Sequence, residues 1–359
     1  MNSCTVINKL IKTFDVMRFP LAIFVIILHT NGYNENFRCT VFNNNEVNLG
    51  YFIYLIIKDI ARVAVPCFYV ISGFFFFLNA KHFTFEIYKT KLCARFKSLF
   101  LPYMLWNLIT FIALISKEFF MGNYAALGDM MHWNIFISSF WLYDGNTTPI
   151  SAPLWFLRDL IIVVALTPII YKALKTIPLL FLGTLIVLFC TNDIMPYYQY
   201  YPAQIWTAPL FFSIGAYFVI NSSKISSEIK IPHEVSNFLI IVYVLFLIAD
   251  SYTNWKIYSL HMLTNYLVGV LCTFVIFYKL AFSRFNNITQ LNKSCFFLFA
   301  LHFLIINSSL NLAKRISYDL GLLTFFIALL INIVFCLTCF YVSRKLTPKL
   351  TSLLSGGRA

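Results

Sequence analysis

Long apolar runs separated by short polar stretches dominate the chain from residue 16 onward. A bilayer-crossing helix needs roughly 20 mostly apolar residues, and the pattern predicts ten such spans. Their approximate ranges are 16–34, 60–79, 97–116, 154–171, 177–191, 204–221, 236–250, 258–279, 295–309 and 320–342. The apolar stretches 49–57 and 133–142 are too short to cross, so we interpret both as interfacial or re-entrant. The predicted fold class is all-α: a polytopic membrane helix bundle of about ten transmembrane helices, forming one domain over 1–359.

Composition supports this pattern. Of 359 residues, 60% are hydrophobic and 11% are charged. A soluble domain of this size could not bury so much apolar surface, and a disordered chain would be poorer in apolar residues. We therefore expect a multi-pass protein of the cell (inner or plasma) membrane, with the lipid bilayer as its first partner.

The basic excess indicates orientation. The formal net charge is +13, from 27 Lys and Arg against 14 Asp and Glu. With the N-terminus in the cytoplasm, 19 of the 27 basic residues but only 4 of the 14 acids fall on the cytoplasmic side. This asymmetry follows the positive-inside rule and predicts that both termini are cytoplasmic. Beyond net charge nothing indicates nucleic acid as a partner. The CxxC spacing of Cys336 and Cys339 lacks further ligands, so we interpret that pair as packing and expect no metal site.

The informative residues are the polar ones that lipid penalises, by about 2.5–3.5 kcal/mol for an Arg near the centre of a span. Arg18 and His29 are eleven residues apart, which places both on one face of the first helix, about 16 Å apart along its axis. The structural alternatives are an interfacial anchor for Arg18 and an ordinary hydrogen-bonded imidazole for His29. Because the two share a face, we expect that face to line a polar site.

Other polar residues lie within or at the ends of predicted spans. Arg95 and Lys97 enter the third span, either as membrane anchors or as ligands for a phosphate group. Six further residues are candidates for an acceptor site or a cavity: Arg62, Ser72, Asn107, Trp155, Arg158 and His302. Ser72, which precedes Gly73, also fits close helix packing. His302 alone also fits a buried histidine whose hydrogen bonds are satisfied.

Four segments in order resemble one known family. They are FDVMRFPLAIFVIILHT, RVAVPCFYVISGFFF, RFKSLFLPYMLWN and PLWFLRDLI. Together with ten spans they are similar to the acyltransferase family 3 membrane proteins, O-acyltransferases of cell-surface polysaccharides. The resemblance covers at least residues 14–305.

The resemblance implies an acyl-CoA donor from the cytosol, with acetyl-CoA expected, and no bound cofactor. It implies an acceptor hydroxyl on a glycan or lipid-linked sugar, with glycan-assembly proteins as candidate partners. By position His29 matches the family's essential histidine, Arg18 its paired arginine, and Arg95 a basic residue of the cytosolic loop. Lys97 stands where some members have a second Arg, which weakens the expectation of bidentate phosphate binding there.

The chemistry of the residues fits acyl transfer. His29 could take the proton of the acceptor hydroxyl, or could itself be acylated briefly. Arg18 could hold the thioester carbonyl or a CoA phosphate. Arg62, Trp155 and Arg158 are expected toward the sugar. A polytopic transporter or flippase of a glycan-related or acyl substrate is the competing class, and a protein that has lost the chemistry is a third. The sequence leaves open the acceptor, the acyl group and the oligomeric state.

Overall fold

The structure is a computed structural model. It describes residues 2–31, 42–43, 46–47, 49–78, 83–143, 148–191, 205–221, 232–252, 258–282, 286–318 and 321–358. All statements below concern these residues.

Helices make up nearly all of the described chain, which confirms the all-α membrane bundle. They are α1 (Asn2–His29), α2 (Leu49–Ala61), α3 (Ala64–Phe77), α4 (Phe85–Arg95), α5 (Leu101–Phe120), α6 (Tyr124–Met130), α7 (Trp133–Ser138), α8 (Trp155–Ala165), α9 (Thr167–Thr176), α10 (Pro178–Cys190), α11 (Thr207–Ile220), α12 (His233–Tyr252), α13 (Tyr258–Ala281), α14 (Cys295–Ser317), α15 (Gly321–Leu346) and α16 (Pro348–Leu354). A π-helical turn, Phe96–Phe100, joins α4 to α5, and a 3₁₀ segment, Asn286–Ser294, precedes α14. Two strands of two residues each, β1 (Phe42–Asn43) and β2 (Glu46–Val47), pair antiparallel.

Six helical segments of the described chain are long and apolar enough to cross a bilayer, and one bent pair makes a seventh. Two shorter apolar helices, α10 and α11, and the long helix α1 complete the bundle. Each of the ten predicted spans coincides with a helix. Positions 32–34 of the first predicted span lie outside the described residues.

The stretch 49–57, interpreted above as interfacial or re-entrant, is continuous with the second predicted span. This stretch belongs to α2, and α2 and α3 together form one apolar span, Leu49–Phe77. The charges at Asp59 and Arg62 interrupt the apolar run in the sequence. In the fold they pair with each other at 2.9 Å, so the helical path continues past them.

The fourth predicted span, 154–171, is bent rather than straight. α8 and α9 meet at Leu166 with an angle of 63°. Pro168 lies in the first turn of α9, where its missing N–H and its restriction on the preceding residue favour a helix break.

Helix α1 lies inside the bundle, in contact with α3, α13 and α14. Its residues Val16, Leu21, Ala22 and Ile26 are fully buried. The Asn292 side chain, just before α14, donates to the Asp15 carbonyl at 2.7 Å, whereas the far end of α1 lies beside the middle of α14. The two helices therefore run parallel, as expected for two odd-numbered spans.

The segment 133–142 begins with the short helix α7 and then turns inward. The Tyr103 hydroxyl donates to the carbonyl of Phe140, and Ser151 N donates to Asn107 Oδ1 at 3.2 Å. Residues 139–143 and 148–151 thus pack against the first two turns of α5, inside the bundle.

Candidate functional site

A cavity of about 360 Å³ opens among α1, α3, α8, the π-helical turn and the start of α14. Its volume is within the range of small-molecule sites, about 300–1,000 Å³. One end of the cavity is lined by cationic side chains and the other by apolar ones. The polar lining residues are Arg18, Ser72, Arg95, Asn292, Lys293, Cys295 and Arg358.

Three guanidinium groups converge at the cationic end. Arg18 pairs with Asp15 at 3.2 Å and lies over the Phe75 ring at 4.9 Å from its centroid. Arg95 and Arg358 form no ion pair with an acid of the described residues, and both are close enough to Arg18 to be repelled by it. This concentration of positive charge suits a ligand that carries phosphate groups.

Arg358 faces the cavity from outside the membrane-spanning helices. Solvent reaches it, yet protein encloses it on several sides. This partial desolvation, followed by repulsion from Arg95 and Arg18, lowers the pKa of Arg358 to about 10. The group therefore stays positively charged at neutral pH.

Arg95 is placed by an irregularity in its helix. It is the last residue of α4, directly before the π-helical turn Phe96–Phe100. Such turns inside helices are frequent at functional sites because they rotate the side chains that precede them. Pro102 contributes to the irregularity, since it has no N–H to donate to the Ser98 carbonyl.

The apolar end of the cavity is built from aromatic rings. Phe156 and Phe299 meet edge to face at 5.0 Å, and Phe68 lies 6.0 Å from Phe156. This part suits an uncharged, largely apolar portion of a ligand. Phe299 lies one turn before His302 on α14, and His302 itself does not line the cavity.

His302 and His29 form a pair beyond this apolar end. Their ring centroids are 5.3 Å apart. His302 is fully buried, and its Nδ1 lies 2.6 Å from the carbonyl of Phe299, a cavity residue. A carbonyl only accepts, so Nδ1 carries the proton and Nε2 keeps its lone pair. In the described structure Nε2 has no hydrogen-bond partner.

Lys58 lies beside this pair. It is buried in α2, and its Nζ donates to the Leu28 carbonyl at 2.7 Å, next to His29. A cation here satisfies the exposed carbonyl end of α1 and interacts favourably with the helix dipole. Lys58 therefore fixes the end of the helix that carries His29.

Trp155, Arg158 and Asn107 lie around the inward-turning segment and not on the cavity wall. Arg158 is buried, pairs with Asp159 at 2.9 Å and donates to the Trp141 carbonyl at 3.0 Å. Asn107 is fully buried and binds the backbone at Tyr103 and Ser151. Trp155 begins α8 and packs against the core next to Phe156.

Arg62 belongs to a separate polar cluster. Its Nε binds Asp59, and its Nη1 lies 3.9 Å from the sulfur of Met262. His261 Nε2 lies 2.5 Å from Asp250 Oδ1 in the same region. The cluster joins α2 to α12 and α13.

Of the remaining predicted site residues, one lines the cavity and one does not. Ser72 lines the cavity. Lys97 is exposed and does not line it, because the π-helical turn directs Arg95 inward and leaves Lys97 at the surface.

Five residues at the site were missed in the sequence. Lys58, Lys293 and Arg358 were counted as orientation charges, Cys295 was taken as a packing residue, and Asn292 was not considered. A charge inside the apolar run 49–61 was a usable signal for Lys58. No signal indicated Arg358, because its position depends on how residues 348–358 fold back. Within the described chain no three His, Cys, Asp or Glu side chains are grouped to hold a metal ion.

The fold and site describe a multi-pass membrane protein with a cationic cavity and, one turn of α14 beyond its lining residue Phe299, a pair of histidines that do not line it. Residues 11–341 match the family model described as an acyltransferase domain, so the chain belongs to acyltransferase family 3. The protein is thus a membrane acyltransferase.

The chain is 22% identical over 357 residues to the succinoglycan biosynthesis protein ExoH of Rhizobium meliloti. The match covers 96% of this chain and 91% of that protein. No solved structure matches this chain significantly.

Proposed function

We propose that this protein moves an acyl group, acetyl by expectation, from cytosolic acyl-CoA to a hydroxyl of a cell-surface polysaccharide or lipid-linked sugar. The observation that carries the proposal is that a cationic cavity and a histidine pair lie next to each other in the bundle. The cationic cavity ends at Phe299, the Phe299 carbonyl binds His302, and His302 lies against His29. Family membership favours this enzyme over the transporter or flippase considered above.

The donor would bind with its phosphates at Arg18, Arg95 and Arg358. Its pantetheine arm would pass the aromatic rings, and the thioester would lie toward the histidines. Arginine suits this role because its planar fork matches phosphate oxygens. In this arrangement Arg18 binds the phosphate end rather than the carbonyl, since the structure places it in the cationic part of the cavity.

The chemical step would use His29 as general base. His29 takes the proton of the acceptor hydroxyl, the oxygen attacks the thioester carbonyl, and the carbon–sulfur bond breaks. The CoA thiolate leaves and takes a proton, so that one ester and one thiol form. His302, with its free Nε2, would orient either the imidazole of His29 or the hydroxyl. Brief acylation of His29 remains the alternative route.

The acceptor would approach from the opposite face of the bundle, past the end of α1. The polysaccharide assignment is supported by the likeness to a succinoglycan biosynthesis protein. The buried Arg158 with Trp141, and the cluster around Arg62, lie apart from the cavity and are candidate contacts for the sugar. The localisation that fits this arrangement is the cell (inner or plasma) membrane, with both termini cytoplasmic.

Purified protein, labelled acetyl-CoA and envelope polysaccharide from the source cell test the proposal. We expect free CoA thiol to appear at the same rate as labelled ester in the polymer. Succinyl-CoA in a parallel assay would identify the preferred acyl group. If the label crossed a proteoliposome membrane with the thioester intact, the protein would be a transporter and the proposal would be wrong.

A further inference from the structure

The segment that follows α15 folds back onto the site. This return segment, residues 348–358, begins with α16 and lies outside the 11–341 family match. Here Thr351 and Ser355 are fully buried, and Leu354 is 8% exposed. The return segment is therefore part of the packed structure.

A buried tryptophan anchors it. Trp106 Nε1 of α5 donates to the Leu354 carbonyl at 3.0 Å. The Trp106 ring in turn meets Phe297 of α14 edge to face at 5.3 Å. Because a buried indole N–H is costly to leave without an acceptor, this bond fixes the return segment against α5.

Two glycines then turn the chain toward the cavity. Gly356 and Gly357 have φ of +65° and +78°, in the left-handed region that favours glycine. A Cβ on Gly356 would lie 2.3 Å from the Ser98 carbonyl oxygen. Ser98 lies in the π-helical turn that also places Arg95. The π-helical turn thus positions Arg95 and also contacts the return segment that carries Arg358.

The turn delivers Arg358 to the cationic end of the cavity. Its guanidinium lies 5.1 Å over the centroid of the Phe296 ring, which holds it in place by a cation–π contact. It lines the same cavity as Arg18 and Arg95. With Asp15 the one acid paired there among the described residues, the three arginines leave a positive excess that no protein group balances.

We propose that the return segment supplies Arg358 as a further binding residue for the acyl donor, contacting a phosphate group of CoA. The proposal rests on the proposed function, since it takes the cavity as the donor site. Its new content is that the donor site includes the chain beyond α15. Arg358 is held beside two other cations, Arg18 and Arg95, which repel it. A dianionic phosphate bound there would offset this repulsion. If the position were only structural, a neutral side chain would avoid the repulsion.

Isothermal titration of the full-length protein tests it, with three ligands: CoA, dephospho-CoA and phosphate-free S-acetyl-pantetheine. We expect Arg358→Gln to weaken CoA binding by at least about tenfold, the effect of losing one charge-assisted hydrogen bond. Arg358→Lys keeps the charge and should bind CoA more tightly than Arg358→Gln. Lys349→Gln is the control, because Lys349 is an exposed cation of the same segment. S-acetyl-pantetheine should bind all variants equally.

The outcomes are distinguishable. A loss confined to CoA would assign Arg358 to the 3′-phosphate, and an equal loss for dephospho-CoA would assign it to the diphosphate. Unchanged CoA affinity in Arg358→Gln, with wild type binding CoA, would overturn this inference and leave the proposed function standing. An equal loss for S-acetyl-pantetheine would show a change in cavity shape and would also overturn it. If wild type bound no CoA, both would fail.

Discussion

At the scale of residues, Arg18 illustrates how the protein tolerates a charge near the membrane. Its guanidinium has a carboxylate partner in Asp15, a ring face at Phe75 and an opening into the cavity. Each of these interactions suits a flat, delocalised cation, and lysine offers only a compact point charge. The site therefore requires arginine and not simply a positive charge.

This predicts that Arg18→Lys will not restore full activity. We expect kcat/KM for acyl-CoA to fall by about tenfold, equivalent to about 1.4 kcal/mol of lost transition-state stabilisation, and Arg18→Ala to be worse. The measurement is steady-state CoA release over a range of acyl-CoA concentrations. Arg315→Lys, an exposed arginine at the other end of α14, should behave as wild type. Wild-type kinetics in Arg18→Lys would show that charge alone is sufficient.

At the scale of elements, helices α3 and α11 approach through glycines. A Cβ on Gly73 would lie 2.0 Å from the Phe212 carbonyl oxygen, and a Cβ on Gly215 would lie 2.0 Å from the Val70 carbonyl oxygen. Neither helix backbone can move aside cheaply, because both are packed on other faces. The sequence allowed two interpretations of Ser72–Gly73, a site or tight packing. The structure supports both, since Ser72 lines the cavity and Gly73 packs on α11.

Gly73→Ala should therefore destabilise the bundle. Overpacking of this kind costs about 1–3 kcal/mol, and here the obstructing atoms are backbone. Thermal unfolding of detergent-solubilised protein, monitored by the labelling of thiols that are buried in the folded state (Cys67, Cys272 and Cys336), would measure the loss. Gly183→Ala is the matched control, because no atom lies within 4 Å of its added Cβ. Equal melting temperatures for the two variants would contradict the packing account.

Element positions were largely predictable because apolar length is a strong signal in lipid. Breaks within elements were not. Pro168 accounts for the bend at Leu166, two residues before it. Pro20, however, lies inside the continuous helix α1, so the presence of a proline does not by itself predict a helix break. Asp59 and Arg62 are three residues apart and pair at the turn that joins α2 to α3. A hydropathy average counts both charges but does not register that they neutralise each other.

At the scale of the whole molecule, the described bundle places a cationic cavity and a histidine pair along the same two helices, α1 and α14. The eleven-residue spacing of Arg18 and His29 predicted this arrangement, because it places both side chains on the same face of α1. The partners of these residues come from distant parts of the chain. Lys58, His302 and Arg358 reach the site through helix packing and a folded-back segment, and sequence spacing carries no record of either.

The parallel course of α1 and α14 explains why the site is placed here. Arg18 faces the start of α14, and His29 faces His302 two turns further on. A donor that enters at the arginines would thus be guided along both helices toward the histidines. With the basic asymmetry of the loops, the proposed function predicts donor entry on the cytoplasmic side and acceptor entry on the other.

The central claim is that His29 performs the proton transfer of acyl transfer. The most direct measurement is the rate of CoA thiol release by purified His29→Ala with acetyl-CoA and acceptor polysaccharide, beside His132→Ala, an exposed histidine at the start of α7. The account predicts a fall of at least about 100-fold for His29→Ala, within the usual contribution of general acid–base catalysis, and wild-type rates for His132→Ala. Acyl-CoA affinity should remain, since the arginines are intact. A wild-type rate in correctly inserted His29→Ala protein would contradict the account.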